Sequence, residues 1–231
     1  MHDRHSDFWQ HFVPATPDPP EWHDAYAAPM PDGSRLLLPL RDLGETAVAG
    51  LIANQAAFAV LDRLTHWMAE RAARHGADVV LGLPTLGHVV APGVARALGH
   101  PNWVPAGFSR KLWYDEALSV PVASVTSPQA GRRMWLDPRV LPRLRGRRVL
   151  LVDDVMCTGR SMQAGLALLH AAGIAPVAVA VAMLQGDRWQ AAWDAFIPVT
   201  GAFATPLFSR GNIGWIARAD SAPHHLCKIE T

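Results

Sequence analysis

The chain has 231 residues, a formal net charge of +1 and 18% charged residues, so no global field draws it to nucleic acid or a membrane. Hydrophobic residues make up 50%, enough for a full core, yet no apolar run approaches the roughly 18 residues of a spanning helix. The two cysteines, Cys157 and Cys227, exclude a disulfide framework and any four-cysteine zinc module.

The opening Met-His-Asp-Arg-His has mixed charge and no apolar signal core, which reads as a cytoplasmic protein. Residues 1–31, with Pro14, Pro17, Pro19, Pro20, Pro29 and Pro31, read as an irregular arm draped over the domain. A turn at 31–34 leads into a strand at 35–40. Val48, Leu51, Ile52, Phe58, Leu61, Leu64 and Met68 fall at helical spacing and predict one long helix from Gly44 to His75, closed by Gly76. A strand at 78–83, a helix at 87–98 and a strand at 102–107 follow. Residues 108–132 lie between confident elements and are too long for a plain connection, so they read as a lid over a site. Beyond them come a short helix at 138–144, a strand at 149–152, a helix from Ser161 to Gly173, a strand at 176–183, a short helix at 187–194 and a strand at 196–204. Strands alternating with helices predict an α/β fold with a central, mostly parallel sheet flanked by helices. The organisation expected is an arm at 1–43, a core at 44–205 and an extension at 206–231.

Residues 149–161, Val-Leu-Leu-Val-Asp-Asp-Val-Met-Cys-Thr-Gly-Arg-Ser, carry the chemistry. Four apolar residues suit a strand buried on both faces, and Asp153 and Asp154 are expected where it emerges. Ligands of open α/β sheets bind beyond the carboxyl ends of the strands, where a helix N-terminus offers N–H groups to an anion. A sugar phosphate meets both demands, its hydroxyls facing the acids and its phosphate the helix. No G-x-x-x-x-G-K-[ST] occurs, which removes a Walker-type nucleotide site.

This segment resembles, at every position, the signature of the type I phosphoribosyltransferases: an apolar strand, two acids, then Thr-Gly-x-Thr/Ser. The resemblance implies that family's fold, with a lid hairpin and a small hood from the terminal segments. It implies binding of phosphoribosyl pyrophosphate (PRPP) with Mg²⁺, Asp153 and Asp154 on the ribose hydroxyls, and Cys157, Thr158, Gly159, Arg160 and Ser161 on the 5′-phosphate. Gly82-Leu83-Pro84-Thr85-Leu86-Gly87 is similar to the family's pyrophosphate loop, which makes Thr85, Leu86 and Gly87 candidates. The same turn serves as a plain helix entry. Arg110 and Lys111 stand at the lid base, where adenine-type members carry an Arg-Lys pair, and Lys111 is the stronger candidate for stabilising departing pyrophosphate.

The nearest pattern is the adenine phosphoribosyltransferase branch, with one departure: its lid motif carries a Glu, whereas Ser124-Val125-Thr126-Ser127-Pro128 has no acid. Relatives that use 6-oxopurines carry an Asp where Cys157 stands, and adenine-type relatives an Ala. The activity implied is phosphoribosyl transfer to a ring nitrogen of a small aromatic, nucleobase-like acceptor in nucleotide salvage, by a cytoplasmic homodimer. The alternative is a non-catalytic PRPP-sensing regulator, although the first 43 residues show no helix-turn-helix pattern.

Three clusters remain. Arg139, Arg143, Arg145, Arg147 and Arg148 read as a solvated basic face. His224, His225 and Cys227, with His2 or His5, match no standard zinc spacing. Trp189, Trp193 and Trp215, with Phe203 and Phe208, form an aromatic group able to stack on a flat acceptor, each singly a core residue.

Overall fold

The computed structural model describes residues 7–122, 132–194 and 196–223. In chain order the first elements are strands β1 (Phe12–Val13), β2 (Ala25–Pro29), β3 (Arg35–Asp42) and β4 (Thr46–Ala49). Helix α1 (Phe58–Ala73), strand β5 (Val79–Gly82), helix α2 (Gly87–Ala97) and strand β6 (Val104–Pro105) follow. Strands β7 (Ser119–Pro121) and β8 (Arg133–Trp135) precede a short helix α3 (Leu141–Leu144). Strand β9 (Val149–Met156), helix α4 (Arg160–Ala171) and strands β10 (Pro176–Gln185) and β11 (Val199–Thr205) complete the core, and β12 (Leu207–Arg210) and β13 (Trp215–Arg218) close the chain.

The central sheet has the order β11-β10-β9-β5-β6, every neighbouring pair parallel. Its faces are set by strand alternation. Ala178, Ala180 and Ala182 of β10 join a cluster with α1 and α2, whereas Val179 and Val181 join one with α4 and α3. Small alanines on the first face let α1 lie close over β10 and β11. Gly93 does the same between helices, since a Cβ there would meet Thr65 Oγ1 at 2.6 Å.

The long helix expected from Gly44 is a correction. Its first residues instead form the turn at Gly44, whose φ is +97°, and strand β4, the second arm of a hairpin with β3. Helix α1 begins only at Phe58. Residues 25–29 of the arm are likewise a regular strand, paired antiparallel with β3 from Ala25↔Pro39 to Pro29↔Arg35. Both ends of the chain therefore build one antiparallel hood, ordered β1-β3-β4-β12-β13 with β2 also on β3. The seam is β4 on β12, with Val48 opposite Leu207 and Thr46 opposite Ser209. A second tie joins the ends: the Glu21 carboxylate accepts from Asn212 N–H at 3.1 Å and Ile213 N–H at 2.8 Å. These backbone donors hold its pKa below the ordinary carboxylate value.

The segment expected as a lid is described only in part. Strands β7 and β8 pair antiparallel from Ser119↔Trp135 to Pro121↔Arg133, and Leu118, Met134 and Leu136 anchor these arms in the cluster that holds Met162, Leu168 and Leu169 of α4. The segment between them, including Ser124-Val125-Thr126-Ser127-Pro128, lies outside the described residues.

Candidate active site

Asp153 and Asp154 lie within β9 rather than beyond it, because β10 runs further and pairs Val181 with Asp153 and Met183 with Val155. On the other flank β5 runs out at Gly82, opposite Val152. The start of α2 fills the space that β5 leaves. A Cβ on Gly87 would fall 2.8 Å from Asp153 Oδ1 and 3.0 Å from Val152 O, so only glycine permits this approach.

Asp153 is 6% exposed. Its carboxylate accepts the N–H of Gly87, and that of Asp154 at 2.9 Å. Burial, then repulsion from Asp154, pushes its pKa well above the ordinary value. Burial also raises Asp154, which is half-buried. The two acids thus divide the work: Asp153 has oxygens committed to the start of α2, and Asp154 is the one more open to a ligand.

After β9 the chain turns through half-buried Cys157 and Thr158 to Gly159, whose φ of +76° is a left-handed conformation that favours glycine. Helix α4 opens at Arg160, one residue before the expected Ser161, and no side chain among the described residues caps its first turn, which leaves its leading N–H groups able to take an anion. Arg160 and Ser161 are exposed. Burial raises the Cys157 thiol and outweighs the opposing charge of Arg188, so this cysteine is not an activated thiolate.

In the expected pyrophosphate loop, Leu83 N–H extends the ladder to Val152 O at 2.9 Å, and the Pro84–Thr85 peptide bond is cis. Thr85 is exposed and Leu86 half-buried, and neither N–H donates to a group among the described residues. Gly82 has a packing role. A Cβ there would meet Ala91 Cβ at 2.7 Å and Trp103 Cζ3 at 2.9 Å, so it seats α2 on the sheet.

At the lid base Arg110 is engaged, 2.6 Å from Glu116 Oε1 and with its guanidinium 5.3 Å from the Trp135 ring centre. Lys111 is exposed and forms no ion pair among the described residues, which leaves it the uncommitted cation of the two.

Of two further clusters, the aromatic one resolves differently from expectation, whereas the five arginines, four of them exposed, keep the solvated face. The aromatic group is split by the sheet: Trp189 and Trp193 pack on the α4 side, while Phe203, Phe208 and Trp215 are core on the hood side. Three of the five arginines before β9 have local partners. Arg148 donates to Gly76 O and His75 O, each at 2.8 Å, Arg143 donates to Trp103 O, and Arg139 stacks 4.1 Å over Trp113. The terminal His2, His5, His224, His225 and Cys227 lie outside the described residues, and no metal-binding group of three side chains occurs among those described.

Sequence reasoning passed over Gln185, a buried polar residue ending an otherwise apolar strand, and did not foresee that Trp189 packs against Gly159. A lone Gln after Val-Ala-Val-Ala-Val-Ala-Met-Leu was the available signal.

The phosphoribosyl transferase domain family matches residues 48–197. Adenine phosphoribosyltransferase of Streptomyces coelicolor is 31% identical over 142 residues, 60% of this chain and 71% of that enzyme. Orotate phosphoribosyltransferase of Nitrosospira multiformis is 31% identical over 87 residues, 36% of this chain and only 38% of that enzyme. Among solved structures, adenine phosphoribosyltransferase of Rhodothermus marinus superposes with a TM-score of 0.51 at 21% identity, covering 64% of this chain and 81% of that one. That from Leishmania donovani gives 0.50 at 18%, covering 87% and 77%. At such identities the likeness speaks for the fold. The match over residues 48–197, on a five-stranded parallel sheet with paired acids on its middle strand, places the chain in the phosphoribosyl transferase family, with the type I fold.

Proposed function

We propose that the chain transfers the phosphoribosyl group of PRPP to a ring nitrogen of a nucleobase-like acceptor in nucleotide salvage, releasing pyrophosphate. The observation that carries this reading is the pairing of half-buried Asp154 on β9 with the uncapped start of α4 a few residues on. Asp154 accepts from the ribose hydroxyls, and the backbone and hydroxyls of residues 157–161 take the 5′-phosphate. The Thr85 and Leu86 N–H groups receive the pyrophosphate, while Gly87 keeps its own N–H on Asp153 and lends the loop its close approach, with Lys111, and secondarily Arg110, neutralising the pyrophosphate as it departs. The chemistry of the acids suits Mg²⁺: they are hard oxygen donors, and their raised pKa values mark buried charge in want of compensation. Asp153 and Asp154 would hold the ion, mainly through PRPP and water, and when bound it supplies charge neutralisation at the pyrophosphate.

The test is to mix the protein with PRPP, Mg²⁺ and a panel of bases and to measure pyrophosphate. Release with at least one base is expected. PRPP binding without release from any base would instead make the chain a sensor.

Lys111→Ala is expected to lower turnover by about tenfold to a thousandfold, with a much smaller change in PRPP affinity, because its charge matters most as pyrophosphate leaves. Single-turnover rates set beside calorimetry check this, and a collapse of affinity at normal turnover would make Lys111 a ground-state anchor.

Cys157→Ala is expected to keep most of the activity, since a half-buried thiol with a raised pKa acts as a small apolar filler. The thiol also replaces the carboxylate found in 6-oxopurine users, so hypoxanthine and guanine are expected to be poor acceptors. Steady-state rates with these bases, and with the variant, decide both points.

A further inference from the structure

Resting on that reading, the geometry points to Gln185 as the residue that selects the acceptor. The strand order fixes the direction of approach. Ribose lies over β9, and the pyrophosphate loop follows β5 on one flank. Displacement with inversion brings the incoming nitrogen from the opposite side, over the end of β10 on the other flank. Gln185 is the last residue of β10, one position beyond Leu184, the partner of Met156.

The hood roofs this end. Gln185 Nε2 donates to Ala49 O of β4 at 2.6 Å, and Leu207 closes over Gly186. A carbonyl only accepts, so the contact fixes which end of the carboxamide is nitrogen. Oε1 is then the free end, and nothing among the described residues donates to it. Its neighbour in register, Thr205, has a fully buried hydroxyl with no partner among the described residues. Two adjacent strand ends thus carry spare hydrogen-bonding capacity beside Met183, Phe203 and Phe208, and the buried Thr205 hydroxyl is costly there unless something pairs with it.

A flat acceptor in this place meets an acceptor-only oxygen held rigid from behind. It is therefore a heteroaromatic base that presents an amino group or a ring N–H to Gln185 Oε1. A base with a carbonyl at that edge sets oxygen against oxygen and leaves both unpaired.

The experiment compares amino and oxo isosteres, adenine with hypoxanthine and cytosine with uracil, in the whole chain with PRPP and Mg²⁺. The wild type is expected to prefer the amino member of a pair. Gln185→Met should raise the KM of that base about tenfold or more and narrow the preference, with the KM of PRPP within about twofold of wild type. Gln185→Glu, protonated in so buried a place, can still donate to Ala49 and accept from the base, so it should restore much of the preference. It also serves as the second variant should Met fail to fold. Equal KM rises for base and PRPP, or none, would reduce Gln185 to a brace between hood and sheet. An oxo preference in the wild type would overturn the assignment outright. If the wild type releases pyrophosphate with no base, the transfer reading falls and this inference with it, an outcome distinct from the others.

Discussion

Asp154→Asn is expected to weaken PRPP–Mg²⁺ binding by about tenfold to a hundredfold while raising the melting temperature of the ligand-free protein. The affinity loss follows from replacing a charged acceptor by a neutral amide, worth about 1.5–3 kcal/mol. The gain in stability follows from linkage. Burial raises the Asp154 pKa in the folded state, so the fold binds this proton more tightly than the unfolded chain does. Below the unfolded value both states are protonated and the acid costs nothing. The cost grows as pH climbs past the ordinary carboxylate value and is complete above the folded one. Melting at neutral pH should therefore show the gain, and melting near pH 4 should show little of it. Unchanged affinity in a folded variant would remove Asp154 from the site.

Gly87→Ala is expected to lower both stability and PRPP affinity. Its Cβ would press on Asp153 Oδ1 at 2.8 Å, Val152 O at 3.0 Å and Asp153 Cα at 3.1 Å, two of which are backbone and cannot swing aside. Overpacking of this kind costs about 1–3 kcal/mol, and the start of α2 must retreat from Asp153, taking its N–H and the pyrophosphate loop along. Gly107→Ala is the control, because nothing lies within 4 Å of a Cβ there. Thermal melts and calorimetry of the pair check the expectation, and equal behaviour of the two variants would contradict it.

The central sheet was legible because its strands are short apolar runs closed by glycines, and β9 announced itself by two acids after four apolar residues. The hood was only half legible. Val48, Leu51 and Ile52 sit at helical spacing by coincidence, and 46–49 is a strand because it pairs on both edges, with β3 across the Gly44 turn and with 207–209, far beyond any local window. Strand β2 was hidden by the prolines of the arm around it, although its partner at 35–39 is local. Glycines misled in another way. Sequence shows that Gly82 lacks a side chain, but not that Ala91 and Trp103, rather than a phosphate, occupy the space. Asp153 and Asp154 were found by pattern, yet their division of labour depends on where β5 stops. The aromatic group failed because sequence proximity ignores which face of the sheet a side chain takes.

The β4–β12 seam also governs the order in which the molecule can be made. During synthesis β4 emerges early and waits with an open edge until Leu207–Arg210 leave the ribosome. By then β5, β9 and β10 have been synthesised and can pair, so the PRPP side of the cleft can assemble before its roof. Loop closure over so long a span makes the hood the slow, late event of folding. A nascent chain halted after β11 would present the proposed sugar-phosphate cradle without the seam that completes its roof.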